Sequence, residues 1–368
     1  MVKYALILAF SYPRVEENTL LTFLSCAHHD IKMTHGLCSS LEIDDKNITI
    51  LTDINDTPNS ISECNVKRNP YPSDIFVCRE ICQFLENTIR GIEEQTYKDG
   101  NDYPEVFLYI SGHGSHIKIN DKIEQSIILY NESGTHLKYL LSKDIFNILF
   151  GNLHIESDGT MEIPVWISKK SYIQVETETE IKYIPEDIGT LVPITVQLTP
   201  PVNSPMCSPN IHSKPYRSSY LANRGIPFSS KMLIVVDTCY SEHMTHFPYI
   251  YDSSSQTMIE TFNSNVESSS ILPHCVTISS CEANKKSGCE SSGSSLTKIL
   301  FMKLKKFKGR LNISQLHYII YNSNNNLVNN ILKNGLSHPI ITSTKGVSNE
   351  DIPFFNNFVQ KKHITIEK

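Results

Sequence analysis

Six short apolar runs constrain this chain more than any other feature: Tyr4–Phe10, Ile48–Leu51, Val106–Ile110, Met232–Val236, Cys275–Ile278 and Pro339–Thr342. They lack the apolar-polar alternation of a half-exposed strand, so each reads as a strand buried on both faces. Segments with helical spacing lie between them. Leu20, Leu21, Leu24, Met33, Leu37 and Leu41 predict a helix before the second strand, and Ile75, Val77, Ile81, Phe84, Leu85 and Ile89 another before the third. Ser142-Lys143-Asp144 reads as the cap of a helix over Ile145–Phe150, and Ser294–Leu304 as a helix after the fifth strand. Strand alternating with helix is the grammar of an α/β fold, here an open, mostly parallel six-stranded sheet with helices on both faces.

Residues 151–230 break that rhythm. Ile163, Val165 and Ile167, then Ile173, Val175, Thr177 and Thr179, alternate as a β-hairpin does. Prolines then crowd in, with 8 of the chain's 18 between 185 and 227, which predicts an irregular surface excursion. Asp252–Ser270, rich in Ser, Asn and Thr, reads as a mobile loop. The expected organisation over 1–368 is a single domain carrying an insertion at 151–230. No internal repeat is visible.

Composition excludes several classes of function. With 368 residues, 40% hydrophobic, the chain can bury a full core. A net charge of −6 argues against a nucleic-acid partner, whose phosphates demand a concentrated basic surface. No apolar run reaches the ~18 residues of a membrane helix. Tyr4–Phe10 is short for a signal sequence and is followed by Pro13, Arg14, Glu16 and Glu17, so a cytoplasmic monomer is expected. The ten cysteines include no Cys-x-x-Cys pair. They read as unbridged thiols in a reducing compartment, and their spacing nominates no metal ligand.

Chemistry concentrates at two strand ends. The third strand runs into Ser111-Gly112-His113-Gly114-Ser115, and the fourth into Asp237-Thr238-Cys239-Tyr240-Ser241. Ligands of open α/β sheets bind beyond the carboxyl ends of the strands, where both tips fall. A glycine-flanked histidine beside a cysteine is suited to acyl transfer, in which a nearby imidazolium lowers the thiol pKa toward neutrality. The amides of Gly114 and Cys239 are the natural oxyanion donors.

These tips resemble the caspase-type cysteine peptidases and, within them, the metacaspases. The resemblance extends through Tyr12-Pro13, His29-Asp30, Ile50-Leu51-Thr52-Asp53, Thr277–Asn284 and His338-Pro339-Ile340, covering roughly residues 3–150 and 231–355. It implies a caspase-like fold with His113 and Cys239 as the catalytic dyad. It also implies a primary pocket lined by Asp30 and Asp237, with Ser111 nearby. Two carboxylates favour a bound Arg or Lys, so cleavage of proteins or peptides after basic residues is expected.

Where the family usually has His-Ser-Gly after the cysteine, this chain has Tyr240-Ser241-Glu242. The family's pocket cysteine lies one residue closer to the aspartate than Cys26 lies to Asp30, so that role is not carried over. Many metacaspases use calcium held by an acidic cluster. Here the matching stretches offer Glu124 and Asp144 but also Lys143 and His246, so weak or absent calcium dependence is expected. If the enzyme cuts after basic residues, Arg217, Arg224, Lys169 and Lys170 in the insertion are candidate self-cleavage sites. Two rival readings are a catalytically weak caspase-fold regulator and an Asn-directed legumain or transamidase relative.

Overall fold

The computed structural model describes residues 2–13, 23–55, 61–99, 104–119, 122–130, 137–150, 160–176, 181–197, 230–242, 244–245, 247–261, 273–282, 286–305, 307, 310–321, 339–346 and 352–355. All six apolar runs are strands of one sheet. They form β1 (Lys3–Ala9), β2 (Ile48–Thr52), β4 (Glu105–Ser111), β10 (Lys231–Asp237), β13 (His274–Ser279) and β16 (Ile340–Ser343). The sheet has nine strands rather than six. Short β3 (Asn65–Arg68) extends one edge, and β11 (Tyr249–Asp252) with β12 (Thr257–Glu260) the other, in the order β12-β11-β16-β13-β10-β4-β1-β2-β3. Pairing is parallel from β3 through β13 and antiparallel beyond it.

The unbroken apolar runs have a direct cause in burial on both faces. Leu6, Leu8, Val106, Leu108, Ile110, Ile234 and Val236 pack into one core, and Ala5, Ile7, Phe107, Tyr109, Leu233 and Val235 into the other. The first core is closed by α2 (Asp74–Asp99) and α3 (Ser142–Phe150), the second by α1 (Cys26–Ser40), α4 (Ser295–Leu304) and helical residues 313–321. The helix expected from Leu20 starts at Cys26, and residues 14–22 lie outside the described residues.

Beyond β4 the chain turns into a second sheet of five antiparallel strands. These are β5 (Gly114–Ile119), β6 (Lys122–Tyr130), β7 (Leu137–Leu141), β8 (Thr160–Glu176) and β9 (Ile181–Gln197). The inserted hairpin therefore differs from its expected phase. Ile163–Ile167 and Ile173–Val175 share the single strand β8, and Pro185 and Pro193 fall within β9, paired with Tyr172 and Pro164. The expected mobile loop at 252–270 is also corrected in part, because Thr257–Glu260 pairs as β12. Asp252 nucleates that turn by accepting the backbone N–H groups of Ser254 and Ser255, both at 3.1 Å, as an Asx turn does.

Candidate active site

The strand register brings the two chemical tips together. β4 and β10 are adjacent and parallel, with Ser111 opposite Asp237, so His113 and Cys239 each lie two residues past a paired position. Both are half-buried. The approach is close enough that a Cβ at Gly114 would overlap the Cys239 carbonyl, and Thr238 Oγ1 would lie 3.0 Å from it. Glycine is required there by space, not by backbone angle.

The histidine tip is held from below by residues to which the sequence assigned no role. Tyr12 is fully buried, and its hydroxyl accepts the His113 backbone N–H at 3.0 Å while donating to the Ile128 carbonyl at 2.7 Å. Its ring lies against the His113 imidazole, centroids 4.8 Å apart. Tyr12 has a positive φ of 57°, a left-handed conformation uncommon for a large side chain. Asp53 secures it, taking the Ser11 and Tyr12 backbone N–H groups, each at 2.7 Å, and the Ser11 hydroxyl at 3.0 Å. Gly112 leaves room for this anchor, since a Cβ there would stand 2.8 Å from the Tyr12 hydroxyl.

The expected pocket residues also meet. Asp30, on α1, accepts the Ser294 backbone N–H at 2.8 Å and the Ser111 hydroxyl at 3.4 Å. Asp237 accepts the Ser287 hydroxyl at 3.0 Å, the Thr297 hydroxyl at 2.7 Å and the Thr297 N–H at 3.2 Å. The Ser294 hydroxyl joins the two carboxyls, touching Asp237 Oδ2 and lying 3.3 Å from Asp30 Oδ1. Burial and the Asp237 charge push Asp30 up to about 7, with the Ser294 and Ser111 bonds opposing; burial also raises Asp237. Two buried acids this close disfavour each other's ionisation. The second-layer donors Ser287, Ser294 and Thr297 were not legible, because only the tertiary return of 286–304 brings them to the pocket.

Burial, more than any other influence, raises the Cys239 thiol, opposed by the Ser287 backbone N–H and Lys286. The expected lowering toward neutrality is therefore not what this environment favours. Tyr240 next to it has φ 60°, and its ring meets His116 edge-on at 4.8 Å. That is the local consequence of a tyrosine after the cysteine.

One expectation is overturned at this site. Cys26 and Cys289 form a disulfide, with Cα atoms 6.2 Å apart across 263 residues of sequence. Cys26 opens α1, one turn before Asp30. Cys289 lies in β14 (Cys289–Glu290), which pairs with β15 (Gly293–Ser294), the strand carrying Ser294. The bridge escaped the sequence because spacing reveals nothing at such separation. Cysteines 38, 64, 78, 82, 239, 275 and 281 form no disulfide, and Cys207 lies outside the described residues. The argument for a reducing compartment from unbridged cysteines therefore no longer holds.

Among the described residues, the stretch matched to a calcium cluster offers fewer oxygens than that ion takes. Lys143 Nζ lies 3.4 Å from Glu124 Oε1 and already supplies a cation, leaving buried Asp144 as the other carboxyl in place of six to eight oxygens. His246, Arg217 and Arg224 lie outside the described residues. Lys169 and Lys170 sit in the β8–β9 ladder, opposite Ile188 and Asp187, and that ladder must open before a peptidase can bind them.

Comparison with known proteins gives no family. No protein-family model matches, and no curated protein matches. Among solved structures, the crystal structure of protein GSU0716 from Geobacter sulfurreducens is similar at 11% identity and a TM-score of 0.46, covering 96% of this chain and 99% of its own. No described helix is long and apolar enough to cross a membrane.

Proposed function

We propose that the chain is a cysteine endopeptidase of metacaspase type, a caspase-like fold that hydrolyses peptide bonds after Arg or Lys. The observation that carries this reading is the pair of buried carboxyls, Asp30 and Asp237, converging on Ser294 one strand end away from Cys239. A guanidinium entering there displaces the shared proton and binds two acids at once.

The chemistry follows from the thiol's environment. Cys239 gives its proton to the His113 imidazole as sulfur attacks the scissile carbonyl, and the Gly114 and Cys239 amides take the oxyanion. Collapse breaks the C–N bond, His113 protonates the departing amine, and a thioester remains. Water that loses its proton to His113 hydrolyses the thioester and restores the thiol. With burial raising the thiol, His113 acts as a general base during attack.

The test is hydrolysis of otherwise identical peptides with Arg, Lys, Asp or Asn before the scissile bond, by wild type and Cys239→Ala. Turnover restricted to Arg and Lys and abolished by the substitution is expected. Asn preference would instead favour a legumain-type enzyme. The left-handed Tyr240 beside the nucleophile favours one second reading, a catalytically weak regulator, and turnover of none of the peptides would support it.

A further inference from the structure

At the opposite end of the sheet from the dyad, a second group of chemically capable side chains collects. His35 is on α1, Asp45 in the 3-10 turn Asp45–Asn47 that leads into β2, and Cys64 immediately before β3. His35 Nε2 and Asp45 Oδ1 are 3.0 Å apart, and one ring nitrogen of His35, one carboxylate oxygen of Asp45 and Cys64 Sγ all lie within 4.8 Å of one another. Ligand atoms around tetrahedral zinc are roughly 3.3–3.8 Å apart, as Zn–N and Zn–S bonds near 2.0 and 2.3 Å require. The three donors therefore need to close by up to about 1.5 Å.

A second thiol lies nearby, outside the group that falls within 4.8 Å. Cys38 follows His35 by three residues on α1, which places both on one helix face. It is fully buried, and Cys64 and Asp45 both act on its thiol electrostatically. Leu41, Ile43, Ile48 and Ile61 belong to the same apolar cluster as the two thiols. The Asp45 side chain remains 30% exposed, which gives an ion a way in from solvent. Both thiols are buried within that cluster.

We propose that His35, Asp45 and Cys64, completed by Cys38, bind a zinc-like divalent transition ion that ties α1 to the segments entering β2 and β3. Two sulfurs, an imidazole and one carboxylate suit zinc or cobalt and are too soft and too few for calcium or magnesium. Binding forms two metal–sulfur bonds as the Cys38 and Cys64 protons leave to solvent. His35 ligates through Nε2, and Asp45 turns from the imidazole to the ion. The ion lies far from Cys239 along the strands, so its role is structural, and by binding only the folded chain it stabilises that state.

The test uses the full chain carrying Cys239→Ala, which removes the dyad sulfur as a competing ligand, stripped with chelator and titrated with Co²⁺. One cobalt per chain is expected, with a thiolate-to-cobalt charge-transfer band and the visible absorption of tetrahedral Co²⁺. Adding Zn²⁺ should bleach both and raise Tm. Cys64→Ser should reduce the charge-transfer band by roughly half, leaving the Cys38 thiolate, or weaken binding at least tenfold. Asp45→Asn, at a partly exposed side chain, should weaken binding without loss of fold and serves if the serine variant does not fold. No thiolate band in the Cys239→Ala protein, or a band and affinity unchanged by Asp45→Asn and by a folded Cys64→Ser, would overturn the proposal.

Discussion

The Tyr12 hydroxyl accepts the backbone N–H of His113 at 3.0 Å, so the position of the histidine tip is set by a residue at the end of β1. Removing that hydroxyl leaves the His113 N–H and the Ile128 carbonyl to find other partners, at a cost of about 1–3 kcal/mol. Tyr12→Phe keeps the ring that packs on the imidazole and loses only the anchor. The expected outcome is a kcat lower by roughly tenfold with KM little changed, because misplacing the base affects attack more than binding. Steady-state kinetics on an Arg peptide, alongside a Tm that falls only a few degrees, checks this.

Substrate binding in the Asp30–Asp237 pocket should depend on pH in a definite sense. Asp30 is pushed up to about 7, so below that pH the pair holds a proton that a guanidinium must displace. Affinity for an Arg-terminated peptide is therefore expected to rise with pH, approaching tenfold per unit below about 7, and to level off above it. Measuring Kd on Cys239→Ala removes the dyad's own titration. Asp30→Asn should bind more weakly and flatten the profile. An unchanged slope in that variant would show that another group titrates.

Gly114 is expected to tolerate no side chain. A Cβ would meet the Cys239 backbone, which has no freedom to move aside as a flexible side chain would. Gly114→Ala should lower kcat/KM by about 100-fold or more, the scale of a lost oxyanion donor. Titration of Cys239 with an alkylating agent distinguishes a displaced tip from an unfolded chain: the variant should still react as a folded protein.

How much of this was legible depends on how local the cause is. The six apolar runs became strands because burial on both faces leaves its mark in every residue, as in Ala5–Ala9, whose side chains go alternately to the two cores. β3, β11 and β12 left no such mark, being short edge strands with half-exposed or exposed residues. Gly112-His113-Gly114 and Asp237-Thr238-Cys239 were readable as strand tips because each directly follows a buried run. Ser294 and Thr297 were not, since their meeting with Asp237 depends on the return of α4 across the sheet. The same holds for Cys26 and Cys289, which become neighbours only once α1 and β14 are in place.

The Cys26–Cys289 bridge should control the pocket more than the dyad. It pins β14, and through β15 holds Ser294 on both acids, while Ser287 just before it donates to Asp237. Cys26→Ser with Cys289→Ser is expected to raise KM for Arg peptides by about tenfold, as ordering of those side chains is lost, with kcat changing less. Phosphine reduction of the wild type should reproduce the effect, and the double variant should not respond to it. Equal KM values in the oxidised wild type and the double variant would remove any role for the bridge in the pocket.

Asp144 makes the last case, on stability. It is buried, and neither of its carboxyl oxygens has a hydrogen-bond partner. Burial pushes its pKa from 3.8 to about 7, with Lys143 opposing and Glu124 adding to the rise. Between those values the native state keeps a proton that the unfolded chain has released. The unfolded state then binds fewer protons, so stability falls as pH rises from about 4 and levels off above about 7. At 1.36 kcal/mol per unit the full penalty is on the order of 4 kcal/mol as an upper bound. Asp144→Asn removes the titration and should raise Tm at pH 8 more than at pH 5. Calcium should raise Tm at neither pH, because Lys143 already stands against Glu124. A calcium-induced rise in wild type that Asp144→Asn abolishes would show instead that the ion takes up this carboxylate.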